Sequence, residues 1–287
     1  MSVPVETLGS PPSLARIFAT TVLTDRLKRS RTLPEKAFRL ADVAVDREHL
    51  ADYQRLCGWD VSDALPHTYP HVLGFPLQAR LMSGTDFPLP LVGLVHVANE
   101  ITVHRRLTAD DALTVTVSAR DLRPHPKGRL VDLVTEVDVA GERVWDGRST
   151  YLHRGRPNPD AKAETGAPAF PGGRVAAVWR LAGDLGRRYG AVSGDVNPIH
   201  LHPLTAKAMG FPTAIAHGMW TYARTLAALG AAAGGPSTSR VWFRKPVLLP
   251  GSVALVVDGS GRTLVAGLRS ARNETREHLV LTLDASA

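Results

Sequence analysis

Residues 193–200 read Ser-Gly-Asp-Val-Asn-Pro-Ile-His, and they concentrate the side chains best suited to chemistry. Asp195 and His200 bring a carboxylate and an imidazole close together in the chain. An unperturbed histidine titrates at about 6.5, so such a pair can exchange protons near neutral pH. On a regular helix the two would point roughly 140° apart. Pro198 prevents that helix, because it pushes Asn197 toward an extended conformation. The spacing therefore predicts a loop that folds acid and imidazole toward one point, as a shared proton-transfer task requires. Further along, His217-Gly218 opens a long apolar segment. A glycine at a helix start suits an oxyanion: its N–H is free, the helix dipole favours negative charge, and no side chain blocks close approach.

Taken together, these residues resemble the signature of the MaoC-like dehydratases, the (R)-specific enoyl-CoA hydratases. That signature is S-G-D-x-N-P-x-H followed by an apolar helix opening with H-G. Ser193, Gly194, Asp195, Asn197, Pro198, His200, His217 and Gly218 all match it, while Ala214 stands where the family often has proline. The resemblance implies interconversion of (3R)-hydroxyacyl and trans-2-enoyl thioesters in fatty-acid metabolism, without a cofactor. Hydration of the enoyl form needs a water deprotonated as it attacks C3, a proton for C2, and stabilisation of the thioester oxygen. Asp195 and His200 can hold one water between them, and the Gly218 N–H suits the oxyanion. Asn197, Ser193 and His217 are expected in supporting roles. Two other readings share the expected fold: a thioesterase, and a non-catalytic protein that binds acyl thioesters. A metal site built from His200, His202 and His217 lacks a completing acid or cysteine pattern, so no metal is expected. The lack of a G-x-S-x-G elbow disfavours a Ser-His-Asp hydrolase.

The elements that must position these residues occur twice. Tyr53 and Gly58 match Tyr189 and Gly194, Gly74 falls opposite Gly218, and 95–107 pairs with 240–251. The second copy has the longer spacing, which predicts an insertion at 203–211. Each copy reads as a loop, one apolar helix and several strands. The second helix is expected over 217–231, followed by strands at 240–248, 252–258, 261–270 and 277–284. In the first copy, strands are expected at 113–122, 130–140 and 143–153, with Val131 and Leu133 in half-buried alternation. The expected fold is α+β, a tandem hotdog with each antiparallel sheet wrapped around a central helix, as the resemblance also implies. The domains would be 1–160, a linker at 161–174 inside the Pro- and Gly-dense stretch 154–174, and a catalytic copy at 175–287. A short leading helix is expected around 14–27. Pro76 predicts a short or displaced helix in the first copy. Trp59 stands where Asp195 would align, and neither His67 nor Asp63 restores the motif, so one active site per chain is expected.

Composition sets the remaining bounds. Hydrophobic residues at 44% and charged residues at 21% are ordinary for a soluble globular chain. The single cysteine, Cys57, precludes an internal disulfide and fits a reducing cytoplasm; it reads as a small buried hydrophobe. No signal peptide is evident, and His217 and Arg224 interrupt the most apolar stretch, 214–233, so no membrane span is expected. The net charge of +7 fits a basic entrance for coenzyme A phosphates or an acidic acyl carrier protein, or simply a solvated surface. No nucleic-acid-binding signature accompanies it. The two copies are expected to form an intramolecular pseudo-dimer, or a homodimer of it.

Overall fold

The computed structural model describes residues 3–162, 166–259 and 262–285. The chain opens with β1 (Val5–Leu8), α1 (Leu14–Leu27), β2 (Ala37–Val43) and α2 (Arg47–Cys57). It continues through α3 (Tyr69–Ser83), β3 (Leu94–Val103), β4 (Leu113–His125), β5 (Gly128–Val139) and β6 (Glu142–Arg154). Then come β7 (Val175–Leu181), α4 (Leu185–Ser193), α5 (Pro198–Leu201), α6 (Pro203–Ala208) and α7 (Gly218–Ala228). β8 (Ser237–Phe243), β9 (Gly251–Asp258), β10 (Thr263–Ser270) and β11 (Glu277–Ala285) complete it.

The strands form one sheet in the order β1-β2-β4-β5-β6-β3-β8-β11-β10-β9-β7. β1 and β2 run parallel and the other described pairs antiparallel. The order reads as two matching sets, β2-β4-β5-β6-β3 and β7-β9-β10-β11-β8, joined through β3 and β8. That junction runs from Ala98 opposite Trp242 to Val103 opposite Ser237, and Arg240 pairs with Glu100 across it. Pairing the inner strands of the two sets removes the two sheet edges that would otherwise be open. α3 and α7 are the central helices, and buried residues of both sets join one apolar core. This is the α+β double hotdog.

Several elements depart from the sequence pattern. α7 is shorter than the expected 217–231: it ends at Ala228 and passes into a 3₁₀ turn over Gly230–Ala233. α3 is not short, but it is displaced, starting at Tyr69, ahead of the Gly74 that falls opposite Gly218. It runs unbroken from Tyr69 to Ser83 with Pro76 inside. Proline there removes a hydrogen bond to Val72 and crowds it, but nearly every side chain of α3 is buried, and that packing holds the helix. The expected alternation in β5 is also absent, since Leu130 to Thr135 are all buried. Val131, Leu133 and Val137 do face the core, but on the other face Asp132 is covered by Arg123, Arg148 and Thr150, which hides the period of two.

The two copies share a landmark in the turn after α2 and α4. Gly58 and Gly194 both end their helices in the left-handed region, at φ 77° and 73°. Only glycine enters that region without strain. After the turn the copies diverge. Residues 59–68 lead directly to α3, whereas 195–217 contain α5 and α6 before α7. The insertion is therefore longer than 203–211, and Gly74 lies inside α3 while Gly218 is the first residue of α7. Residues 163–165 of the expected linker, and 261 of the expected strand 261–270, lie outside the described residues.

Candidate active site

The catalytic-type residues converge because three short elements are docked tightly on one another. Gly186 of α4 lies against α5: a Cβ at that position would sit 1.9 Å from the His200 carbonyl oxygen. Gly194 turns the chain, and the Asp195 amide then donates to Ser193 Oγ at 3.2 Å. Ser193 Oγ in turn donates back to the Tyr189 carbonyl at 2.8 Å. The Asp195 carboxylate accepts from the Asn197 amide at 3.2 Å. Asn197 caps α5 by accepting from the Ile199 amide at 3.3 Å. His200 consequently sits on a one-turn helix rather than in an open loop, with Pro198 at the first position where its missing N–H costs nothing.

The two histidines are fixed by their far nitrogens. His200 Nδ1–H donates to the Ile215 carbonyl at 2.8 Å, which leaves Nε2 as the free acceptor. His217 Nε2–H donates to the Asp195 carbonyl at 2.9 Å, and its buried Nδ1 has no partner among the described residues. The rings stack at 3.7 Å between centroids and 24° between planes. Burial lowers His200 below its ordinary value, with the Asp195 charge and the Ile215 carbonyl opposing. Burial lowers His217 further, helped by its neighbour His200. Both rings are therefore neutral at neutral pH.

Among the described residues, Asp195, His200 and His217 bring metal-ligand-type atoms within 4.8 Å of one another. Their geometry does not fit an ion. A bound zinc lies in the plane of each imidazole at about 2.0–2.1 Å from its nitrogen. Two rings stacked nearly parallel send their lone pairs along nearly parallel lines, which do not meet at that distance. His202 is exposed and spent as the cap of α6, accepting from the Leu204 amide at 3.1 Å, so it does not join the group.

Gly218 begins α7, and no side chain caps the helix start. Phe243 covers the glycine: a Cβ there would lie 3.1 Å from its ring. Gly218 and its neighbours open onto a cavity of about 480 Å³ that also reaches Asp195, Asn197 and His200. That is the size of an ordinary small-molecule pocket. The far wall comes from the first copy through Val72, Phe75, Met82 and Leu94, with Phe18 from α1. Arg154, Arg244 and Lys245 line the cavity as well. A first copy freed of catalytic duty is expected to hold an acyl chain, but the sequence pattern does not single out these wall residues. It also missed His71, His96 and Tyr151, polar residues of the same wall. Their only sign in the sequence was a histidine within each of two apolar runs, YPHVLGF and LVHV.

The first copy also braces the site from behind. His49 of α2 donates from Nε2 to the Val192 carbonyl at 2.7 Å, just before the Gly194 turn. Its Nδ1 accepts from the Tyr69 hydroxyl at 2.9 Å. Trp220 Nε1–H donates to the Leu56 carbonyl at 3.1 Å, tying α7 to α2.

A paired hotdog sheet whose second copy carries an acid, a neutral imidazole and an open helix start is the architecture of the MaoC-like proteins. The MaoC like domain matches residues 180–278. The chain is 39% identical over 240 residues to 3-hydroxyacyl-thioester dehydratase X of Mycobacterium tuberculosis, covering 81% of this chain and 84% of that protein. The crystal structure of HtdX of M. tuberculosis superposes with a TM-score of 0.77 at 36% identity, covering 87% of this chain and 100% of the other. A MaoC-like dehydratase from Phytophthora capsici shares the fold at 17% identity, with a TM-score of 0.69 and 87% and 94% of the two chains covered. The chain belongs to the MaoC-like dehydratase family.

Proposed function

We propose that the protein is a hydro-lyase that reversibly dehydrates (3R)-hydroxyacyl thioesters to trans-2-enoyl thioesters. The observation that carries this reading is the neutral His200, with Nε2 free, beside the Asp195 carboxylate and the open N-terminus of α7. In the dehydration direction His200 Nε2 takes the proton from C2, and the thioester oxygen gains enolate charge. The Gly218 N–H and the α7 dipole stabilise that oxygen. The C3–O bond then breaks, and the proton held on His200 passes to the departing hydroxyl, which leaves as water. Asp195 stabilises the transient imidazolium and accepts from the C3 hydroxyl. Hydration is the same path reversed, so no cofactor enters the balance.

Asn197 and Ser193 hold the turn that carries Asp195, and His217 packs His200 in place. Arg154, Arg244 and Lys245 offer positive charge to the phosphate of a coenzyme A or acyl-carrier-protein thioester. The catalytic copy would span 175–287, with 1–160 supplying the acyl wall and the brace, and 161–174 linking them. The two copies form an intramolecular pseudo-dimer, supported by the β3–β8 pairing and the His49 and Trp220 bonds. A cytoplasmic location fits the single reduced Cys57, and no described helix is long and apolar enough to cross a membrane.

The direct test follows enoyl-thioester absorbance and free thiol together. Loss of enoyl absorbance without thiol release supports the hydratase; thiol release identifies a thioesterase; neither identifies a binding protein.

A further inference from the structure

The wall opposite Asp195 is not purely apolar. His71 of α3, His96 of β3 and Tyr151 of β6 form a continuous stack of rings lining the cavity. His71 and His96 lie 6.2 Å apart between centroids with 19° between planes, and His96 and Tyr151 lie 4.6 Å apart with 21°. His96 also touches Phe243, the ring that covers Gly218, at 5.2 Å. The stack therefore starts beside the oxyanion donor and runs along the first-copy wall.

His71 is only 5% exposed, and neither of its ring nitrogens has a hydrogen-bond partner among the described residues. Tyr151 donates its hydroxyl proton to Gln78 Oε1 at 3.3 Å and accepts from the Ser149 hydroxyl, which leaves one lone pair on its oxygen. The wall thus offers unused donor and acceptor capacity inside a cavity lined otherwise largely by Val72, Phe75, Met82 and Leu94. A buried polar group without a partner is costly, so such groups are normally satisfied. Water can serve while the cavity is empty. A plain alkyl chain would expel that water and leave the imidazole unpaired, whereas an oxygen-bearing chain would replace it. Sites built to hydrogen-bond a substrate oxygen discriminate strongly against the analogue that lacks it.

We propose that His71 and Tyr151, aligned by His96, form a polar subsite for an uncharged oxygen on the acyl chain, a hydroxyl or a keto group, beyond the reacting C2–C3 bond. This rests on the reading of the cavity as an acyl-thioester site. Burial lowers His71 to about 4, with the Asp195 charge opposing, and His96 to about 3, so neither ring carries positive charge at neutral pH. The nearby Asp195 carboxylate further disfavours an anionic chain. The subsite is therefore matched to neutral oxygen and not to a carboxylate.

The test is kcat/KM for trans-2-enoyl-CoA thioesters of one length, either unsubstituted or carrying a single hydroxyl at successive positions from C5 outward. One position should be preferred over the unsubstituted chain by about tenfold or more, the size of one well-placed hydrogen bond. His71→Phe and Tyr151→Phe should each collapse that ratio toward one. A wild-type profile in which no position is preferred overturns the subsite. So does a variant that lowers both substrates in step, because the residue then serves the reaction itself. Should His71→Phe fail to fold, the wild-type profile and Tyr151→Phe still decide. If the wild type hydrates no member of the series, the thioester reading itself falls; hydration without preference overturns only the subsite.

Discussion

The turn at Gly58 and the turn at Gly194 are the same backbone device with opposite contents. Each ends a helix that carries a buried tyrosine, Tyr53 or Tyr189, and the two rings lie 6.3 Å apart. After Gly194 come Asp195 and a one-turn helix bearing His200, aimed at the cavity. After Gly58 comes Trp59, packed against the core, and the space above the glycine is filled by Arg224 of α7. The Arg224 guanidinium donates to the Gly58 carbonyl at 3.4 Å and lies 4.7 Å from the Trp179 ring. His67, the first histidine after that turn, is drawn away into a buried network with Ser237 and Ser239. Asp63 faces solvent and pairs with Arg47. The helix–glycine turn is thus a scaffold and not itself a site. On the proposed mechanism the chemistry needs the longer segment 195–217, which supplies the Ile215 carbonyl that orients His200.

The largest effects should separate the two turns most sharply. Asp195→Asn and His200→Ala should each lower kcat by about 10²–10⁴, with the fold intact by circular dichroism. The double variant should be little worse than either single, because the pair acts as a unit. Near-normal turnover in either single would dissolve the contrast between the turns.

Separating the halves tests the scaffold role. Without its partner strand and the His49 brace, residues 175–287 expressed alone should aggregate or self-associate, as light scattering would register. A soluble, fully active monomer would show that the first copy is dispensable.

Gly218→Ala should lower kcat about tenfold or more, because the added methyl meets the Phe243 ring at 3.1 Å and crowds the oxyanion position. In the first copy, Trp59→Phe, at the position aligned with Asp195, should leave kcat within about threefold and show mainly in thermal stability.

Smaller again is the effect of pH. On the proposed mechanism His200 works as a neutral base, and its value is lowered by burial. kcat/KM should therefore be retained as pH falls through 6.5 and be lost only below it. An acid limb centred at or above 7 would contradict the assignment. Stability should follow the same sign. His67 and His71 are lowered to about 4 and His96 to about 3, so the unfolded chain binds more protons once pH drops below about 6.5. The melting temperature should decline steadily from there toward pH 4. Dialysis against a chelator should change nothing measurable in turnover, since stacked His200 and His217 do not share an ion.

Much of this protein is legible in its amino-acid sequence. Asp195, Asn197, Pro198 and His200 announce proton transfer through residue type and proline-imposed geometry, which are local properties of the chain. The leading helix over 14–27 and most of the strands are likewise local, written in glycine breaks and apolar runs, whereas α2 and α4 lie where the sequence suggests a loop, and the Tyr53–Gly58 and Tyr189–Gly194 match marks only their ends. Tertiary structure decided the rest. Pro76 is kept inside α3 by burial on all sides, a force that local propensity does not contain. β5 hides its period because both faces are covered. His49, His71, His96 and Tyr151 lie far from the motif in the chain and reach the cavity or its support only when β3 pairs with β8 and α2 packs on α4. A side chain's partner across a sheet junction is fixed by long-range packing, so no spacing within the sequence could disclose it.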